Sequence, residues 1–121
     1  MSFADITLFT TSDILSREGE ILENVPFVNR HEVVKSLITD RIHARFPDID
    51  EPEDYIENPE IFCEPAICLN LSLVLRENST HKDDIYAIRS EFYQRRFEEE
   101  IDKALTSIII EDYSIGVELL R

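Results

Sequence analysis

The residues with chemical potential in this chain are two cysteines, three histidines and several runs of acids. Cys63 and Cys68 stand as C-x4-C, with no second pair to complete a zinc site. Positions five apart on a helix point to different sides, so both read as buried free thiols in a reducing compartment. His31, His43 and His81 fall at a helix start, at a helix end and ahead of a helix. None has a second ligand at i+3 or i+4 that would make a metal pair, and His43 with Asp40 reads as a surface hydrogen bond. Asp48-Ile49-Asp50 opens like a calcium loop. Position five would then be Pro52, position six Glu53 instead of glycine, and position twelve Pro59 instead of glutamate, so the loop fails.

Glu98, Glu99, Glu100 and Asp102 form the densest acidic cluster on a helix. General acid–base work needs two carboxylates in different environments across a cleft, and a two-metal nuclease needs converging acids. Consecutive acids on one helix fan around it and do neither. No serine sits between glycines as in a nucleophile elbow, and neither cysteine has a histidine nearby in sequence. The expectation is a protein that is not an enzyme, with no catalytic residues, no cofactor and no metal. Arg89, Arg95 and Arg96 are the basic cluster. Acids interleave with them, and Glu91–Arg95 and Glu99–Lys103 are i,i+4 pairs in the favourable order. A helix braced by such pairs, or an arginine–carboxylate contact between subunits, accounts for them better than nucleic-acid binding.

At 121 residues one domain is expected, and 43% apolar residues suffice for a core. The two glycines, Gly19 and Gly116, exclude a glycine-rich phosphate loop. No run of 18 apolar residues is present, and Met-Ser-Phe-Ala-Asp-Ile has neither the basic nor the apolar region of a leader, so cytoplasmic synthesis is expected. The net charge of −14 argues against a phosphate-gripping groove and against an anionic membrane surface. It suits solubility, a basic partner, or a passage in which DNA must slide without sticking.

The elements that carry these residues are helical. Within 1–29, Ser2–Phe9 reads as a short extended arm, and Thr10, Thr11 or Ser12 caps a short helix that ends near Gly19 as its C′ residue. Asn29, with Glu32 three residues on, caps a second helix over about Arg30–Arg45. There Val34, Leu37, Ile38 and Ile42 make the core stripe, and Arg41 and Arg45 reach from its edge toward carboxylates. Residues 47–60 are a connector in which seven of fourteen are acidic, so it reads as solvated, with Tyr55 and Ile56 tucked inward. Asn58-Pro59-Glu60 starts the next helix. Either one turn precedes a break or the main helix begins at Pro65. Ala66–Leu75 is apolar almost all round and reads as a central helix, with a buried strand as runner-up.

The stretch from His81 to Ile110 is the longest helical pattern, capped by Ser79 or Thr80 with Asp83 and Asp84 in its first turn. One apolar row is Tyr86, Tyr93, Phe97, Ile101, Ala104 and Ile108. A second, beside it on the core side, is Ile85, Ile88 and Phe92. From Ser107 the pattern turns β-branched and alternating, which reads as a β-hairpin or extended tail over 107–121. The fold class expected is mainly α, one domain over 1–121. It comprises an N-terminal arm and short helix over 1–29, a bundle of three to four helices over 30–106, and the β tail.

The order of these elements resembles the small helical head–tail connector (adaptor) proteins of tailed bacteriophages. The match runs over Pro65-Ala66, Leu69, Leu73, Asp83 or Asp84, Tyr86, Tyr93 and the closing Ile110-Glu111-Asp112-Tyr113, covering about residues 30–113. The resemblance implies a structural virion protein of the neck region, docked on the portal protein. Neighbouring copies form a homo-oligomeric ring around the DNA channel, which bridges to a tail or head-closure protein. It implies no catalytic residues, and DNA that passes without specific binding. On that reading the candidate inter-subunit or portal contacts are Arg95, Arg96, Glu99 and Ile109, with Tyr113, Ile115, Val117, Leu119 and Leu120 in the tail. The candidate lumen acids are Asp48, Asp50, Glu51, Glu53 and Asp54. The alternative is a small acidic regulator or inhibitor that binds a protein, in the manner of a DNA mimic.

Overall fold

Thr10 opens the first helix by a reciprocal cap: its hydroxyl accepts the Asp13 N–H at 3.3 Å, and the Asp13 carboxylate accepts the Thr10 N–H at 2.8 Å. The computed structural model describes residues 3–81 and 83–110. It is mainly helical: α1 Thr11–Glu18, α2 His31–Arg45, α3 Cys63–Glu77 and α4 Ile85–Ser107, with single 3-10 turns at Phe3–Asp5, Pro52–Tyr55 and Pro59–Phe62. Among the described residues there is no strand, only an isolated antiparallel bridge between Ile56 and Ile110.

The centre is α3, buried from Pro65 through Ser72 and again at Val74 and Leu75. The helix therefore prevails over the strand reading. The 3-10 turn at Pro59–Phe62 passes straight into it, and Pro65 falls in the first helical turn. There a missing N–H costs no hydrogen bond, so no kink arises. An antiparallel partner is α4. The Ser90 hydroxyl donates to the Ser72 carbonyl at 2.9 Å, while Arg96, further along α4, lies 3.6 Å from Glu64 at the other end of α3. Along that seam Tyr93, Phe97, Ile101 and Ala104 are buried. From α2, Val34, Ile38 and Ile42 enter the same core, each fully buried. Leu37, expected on that stripe, is 40% exposed.

The N-terminal arm is part of the core rather than a free extension. Phe3, Leu8 and Phe9 are buried, and Phe3 meets Phe62 edge to face at 5.6 Å. Two side chains of α2 hold its backbone: the His31 Nε2 accepts the Leu8 N–H at 2.9 Å, and the Lys35 ammonium donates to the Ile6 carbonyl at 2.5 Å.

Three helix ends differ from their sequence reading. Gly19 is right-handed at φ −54°, so it is not a left-handed C′ residue. Its lack of a side chain matters because a Cβ there would stand 2.6 Å from the Leu15 carbonyl oxygen. Helix α2 begins one residue after Arg30, and Asn29 accepts the His31 N–H at 2.9 Å instead of closing a box with Glu32. Helix α4 is capped by Asp84, which accepts the Ala87 N–H at 2.7 Å and folds Thr80 onto its other oxygen. Ser79 and Thr80 thus belong to the turn before the helix, and those backbone donors hold the Asp84 carboxyl well below its usual range.

After α4 the chain runs beside the connector. The Glu57 N–H donates to the Ile109 carbonyl at 2.9 Å. The Asn58 side chain accepts the Ile109 N–H at 2.9 Å and donates to the Ser107 carbonyl at 3.0 Å. Asn58 is therefore a clamp on the end of α4 rather than a side-chain cap. Within the described residues, 107–110 pairs with residues 56–58 and not with itself, because the connector supplies the backbone partners. The rest of the hairpin expected over 107–121 lies outside the described residues.

Candidate docking surface

Two apolar rows run down α4, and the structure buries only one. Tyr93, Phe97 and Ile101 lie against the core, while Ile85, Ile88 and Phe92 are 52%, 53% and 41% exposed. The rows are offset by one residue, which on an α-helix is a rotation of roughly 100°. A single neighbour, α3, covers one such stripe, and the eight-residue α1 is too short to cover the other. The second row is therefore surface, not core as the periodicity suggests.

Helix α1 meets α4 beside this row through ions. Glu18, the last residue of α1, is buried, and its carboxylate accepts hydrogen bonds from Arg89 and from the Tyr93 hydroxyl. Arg89 also lies over the rings of Phe92 and Tyr93, at 5.0 and 5.5 Å from their centroids. Burial first, then Glu18, pushes the Tyr93 hydroxyl up to about 12. A second bridge joins α1 to α3: Arg17 grips Glu64 in a bidentate pair at 2.6 and 3.0 Å, and Arg96 approaches the same carboxylate. A third joins α2 to α4, where Arg41 grips Glu98 at 2.7 and 3.0 Å and lies over Phe97. That is the carboxylate contact the sequence assigns to Arg41.

The sequence-selected residues divide accordingly. Arg95 and Glu99 are exposed on α4, and neither is held by another residue among those described. No ion pair joins Glu91 to Arg95 or Glu99 to Lys103 there; Lys103 pairs instead with Glu100 at 3.1 Å. Arg96 is taken up by Glu64. Ile109 presents its side chain to solvent while its backbone is held by Asn58. Tyr113, Ile115, Val117, Leu119 and Leu120 lie outside the described residues. In the connector Asp48, Asp50, Glu51 and Asp54 are exposed. Glu51 turns the chain there in the left-handed region, at φ 49°. Glu53 differs: it is half-buried, with one oxygen 2.6 Å from the His43 Nε2. No hydrogen-bond donor is aligned on that oxygen. His43 thus faces Glu53 and not Asp40.

Two grooves flank Arg95. One of about 560 Å³ is bounded by Arg76 and Ser79 of the α3 end and by Ala87, Glu91 and Arg95 of α4. The other, about 700 Å³, lies against Phe92, Arg95, Arg96 and Glu99. Among the described residues no group of His, Cys, Asp or Glu is arranged to hold a metal ion, and no helix is long and apolar enough to cross a membrane. The thiols are poor nucleophiles: burial, then Glu64, pushes Cys68 up to about 11, and burial raises Cys63. What this surface can do chemically is take a complementary helix or extended segment. No family model matches the chain, nor does any curated protein or solved structure.

Proposed function

We propose that the chain is a structural virion protein, a head–tail connector subunit of a tailed bacteriophage. On this reading it docks on the portal ring, assembles as a ring around the DNA channel and bridges to the tail or head-closure protein. The observation that carries the reading is the uncovered apolar row Ile85, Ile88 and Phe92 on the longest helix. An apolar stripe rimmed by charges marks a surface meant for another chain. The exposed acids of the connector, in a chain of net charge −14, suit a lumen wall that repels DNA. Asp48, Asp50, Glu51 and Asp54 are the acids assigned to it, with Glu53 drawn back toward His43.

The test is binding to portal rings. Purified chain mixed with portal protein under assembly conditions is expected to co-sediment and to appear by electron microscopy as a ring docked on the portal. Failure to bind any portal overturns the reading. A one-to-one complex with a basic protein, competed by DNA, replaces it with the acidic-inhibitor reading.

A further inference from the structure

A second exposed apolar face lies on α2. Val33 and Leu37 are 50% and 40% exposed, and Asp40, one turn on, is exposed as well. These three residues stand at i, i+4 and i+7. On α4, Ile88, Phe92 and Arg95 stand at the same spacing. Each face is therefore two apolar side chains followed by one charge, and the charges are opposite. Neither Asp40 nor Arg95 has a partner among the described residues. Residues at i, i+4 and i+7 form one straight seam on a helix. Laid side by side and parallel, the two seams put Ile88 on Val33, Phe92 on Leu37 and Arg95 on Asp40. The grooves on either side of Arg95 leave room for the ridges of a second helix.

We infer that the α4 seam Ile88–Phe92–Arg95 of one copy docks, parallel, on the α2 seam Val33–Leu37–Asp40 of the next. The occupant is a second copy of this chain because both halves of the match are on this chain, and charge complementarity fixes the register. Two different faces are used, so the contact is head-to-tail: every copy offers one of each. Such a contact propagates into a ring when the rotation closes and into an open filament when it does not. Within one copy the two helices pack into the same core and are bridged by the Arg41–Glu98 pair, so both faces belong to one folded unit. The inference rests on the ring reading above by naming the surfaces between subunits.

Two cysteine variants of the full chain test it, Leu37→Cys and Phe92→Cys, mixed at millimolar concentration under mild oxidation. The disulfide is mapped by mass spectrometry. The expected product is the 37–92 heterodimer, in large excess over 37–37 and 92–92. In parallel, Arg95→Asp and Asp40→Arg are each expected to cut the assembled fraction at least tenfold in sedimentation, and the double variant to restore it. A dominant 92–92 product overturns the inference in favour of a two-fold symmetric face, and no 37–92 product overturns it outright. Portal-bound rings without 37–92 linkage would leave the connector reading standing and remove this interface. The 37–92 linkage without any portal binding would do the reverse.

Discussion

Tyr93 on α4 gives its hydroxyl hydrogen to the same Glu18 oxygen that Arg89 reaches, so one carboxylate at the end of α1 holds two side chains of α4. The bond needs the neutral phenol. Tyr93 is raised from an ordinary 10.0 to about 12, so its contribution is complete below pH 10 and is lost as pH rises toward 12. The phenol absorbance of Tyr93, isolated by comparison with Tyr93→Phe, is expected to titrate near the upper value. In Glu18→Gln, which removes the neighbouring charge, the midpoint is expected to move back toward 10. An unchanged midpoint would mean burial alone raises it. Glu18→Ala is expected to cost about 1–3 kcal/mol by denaturant unfolding, since it leaves the buried Tyr93 hydroxyl without its acceptor.

Asn70 is a fully buried amide in the middle of α3. It accepts the Arg30 N–H at 2.7 Å and donates to the Val28 carbonyl at 2.8 Å, which fixes the chain where α2 begins. Asn70→Ala strands both backbone groups and is expected to destabilise by about 2–4 kcal/mol. Asn70→Leu adds overpacking to the same loss and is expected to be at least as damaging. Urea midpoints measure both, and a shift equivalent to under about 0.5 kcal/mol, the range of neutral surface changes, would deny the anchor its role.

Acid weakens two inter-helix bridges. The hydrogen bonds from Arg17 to Glu64 and from Arg41 to Glu98 hold both carboxyls below their ordinary 4.5. Their contribution is therefore full above about pH 4.5 and falls as pH drops through the lower folded values. Both pairs are partly exposed, so each is worth at most about 1 kcal/mol after solvent screening. Stability against pH, followed by circular dichroism at fixed urea, is expected to decline below pH 4.5. The decline should be shallower in Arg17→Ala and in Arg41→Ala, and an equal slope in all three proteins would discount the bridges.

Cys68 is expected to react slowly with a thiol reagent. With its proton lost only near 11, its thiolate fraction at pH 8 is about 100-fold lower than that of a thiol at the ordinary 9.0. Burial reduces access further. Reaction with an aromatic disulfide at pH 8 should be slow in the folded protein and fast for both cysteines in urea. Rapid labelling of Cys68 without denaturant would contradict its place in the core.

Much of the fold could be read from residue order alone, wherever the signal was local. The short first helix opens within Thr10–Ser12, and of those three candidates Thr10 is the cap because Asp13 stands three residues on. Pro47 follows the end of α2, and the all-round apolar run within 66–75 is a helix buried on nearly every side. Arg41 meets a carboxylate because its long stem reaches across from the edge of the α2 stripe. The cap of α4 is Asp84, four residues beyond Thr80 and five beyond Ser79. Ser79, Thr80 and Asp84 are all good cap residues, and the choice among them depends on where the chain leaves α3.

The docking surface was less legible. Exposure of Arg95 and Glu99 followed from their position on the helix. Arg96 beside them is held by Glu64, a residue distant in sequence. Ile85, Ile88 and Phe92 carried the pattern of a core stripe, as did Leu37. Spacing states which side chains share a face of a helix, because that follows from 3.6 residues per turn. Which of two faces a quarter-turn apart meets the interior depends on the neighbouring helix. Only the packing of α3 against α4, with Glu18 drawn in from α1, turned one apolar row inward and left the other to solvent.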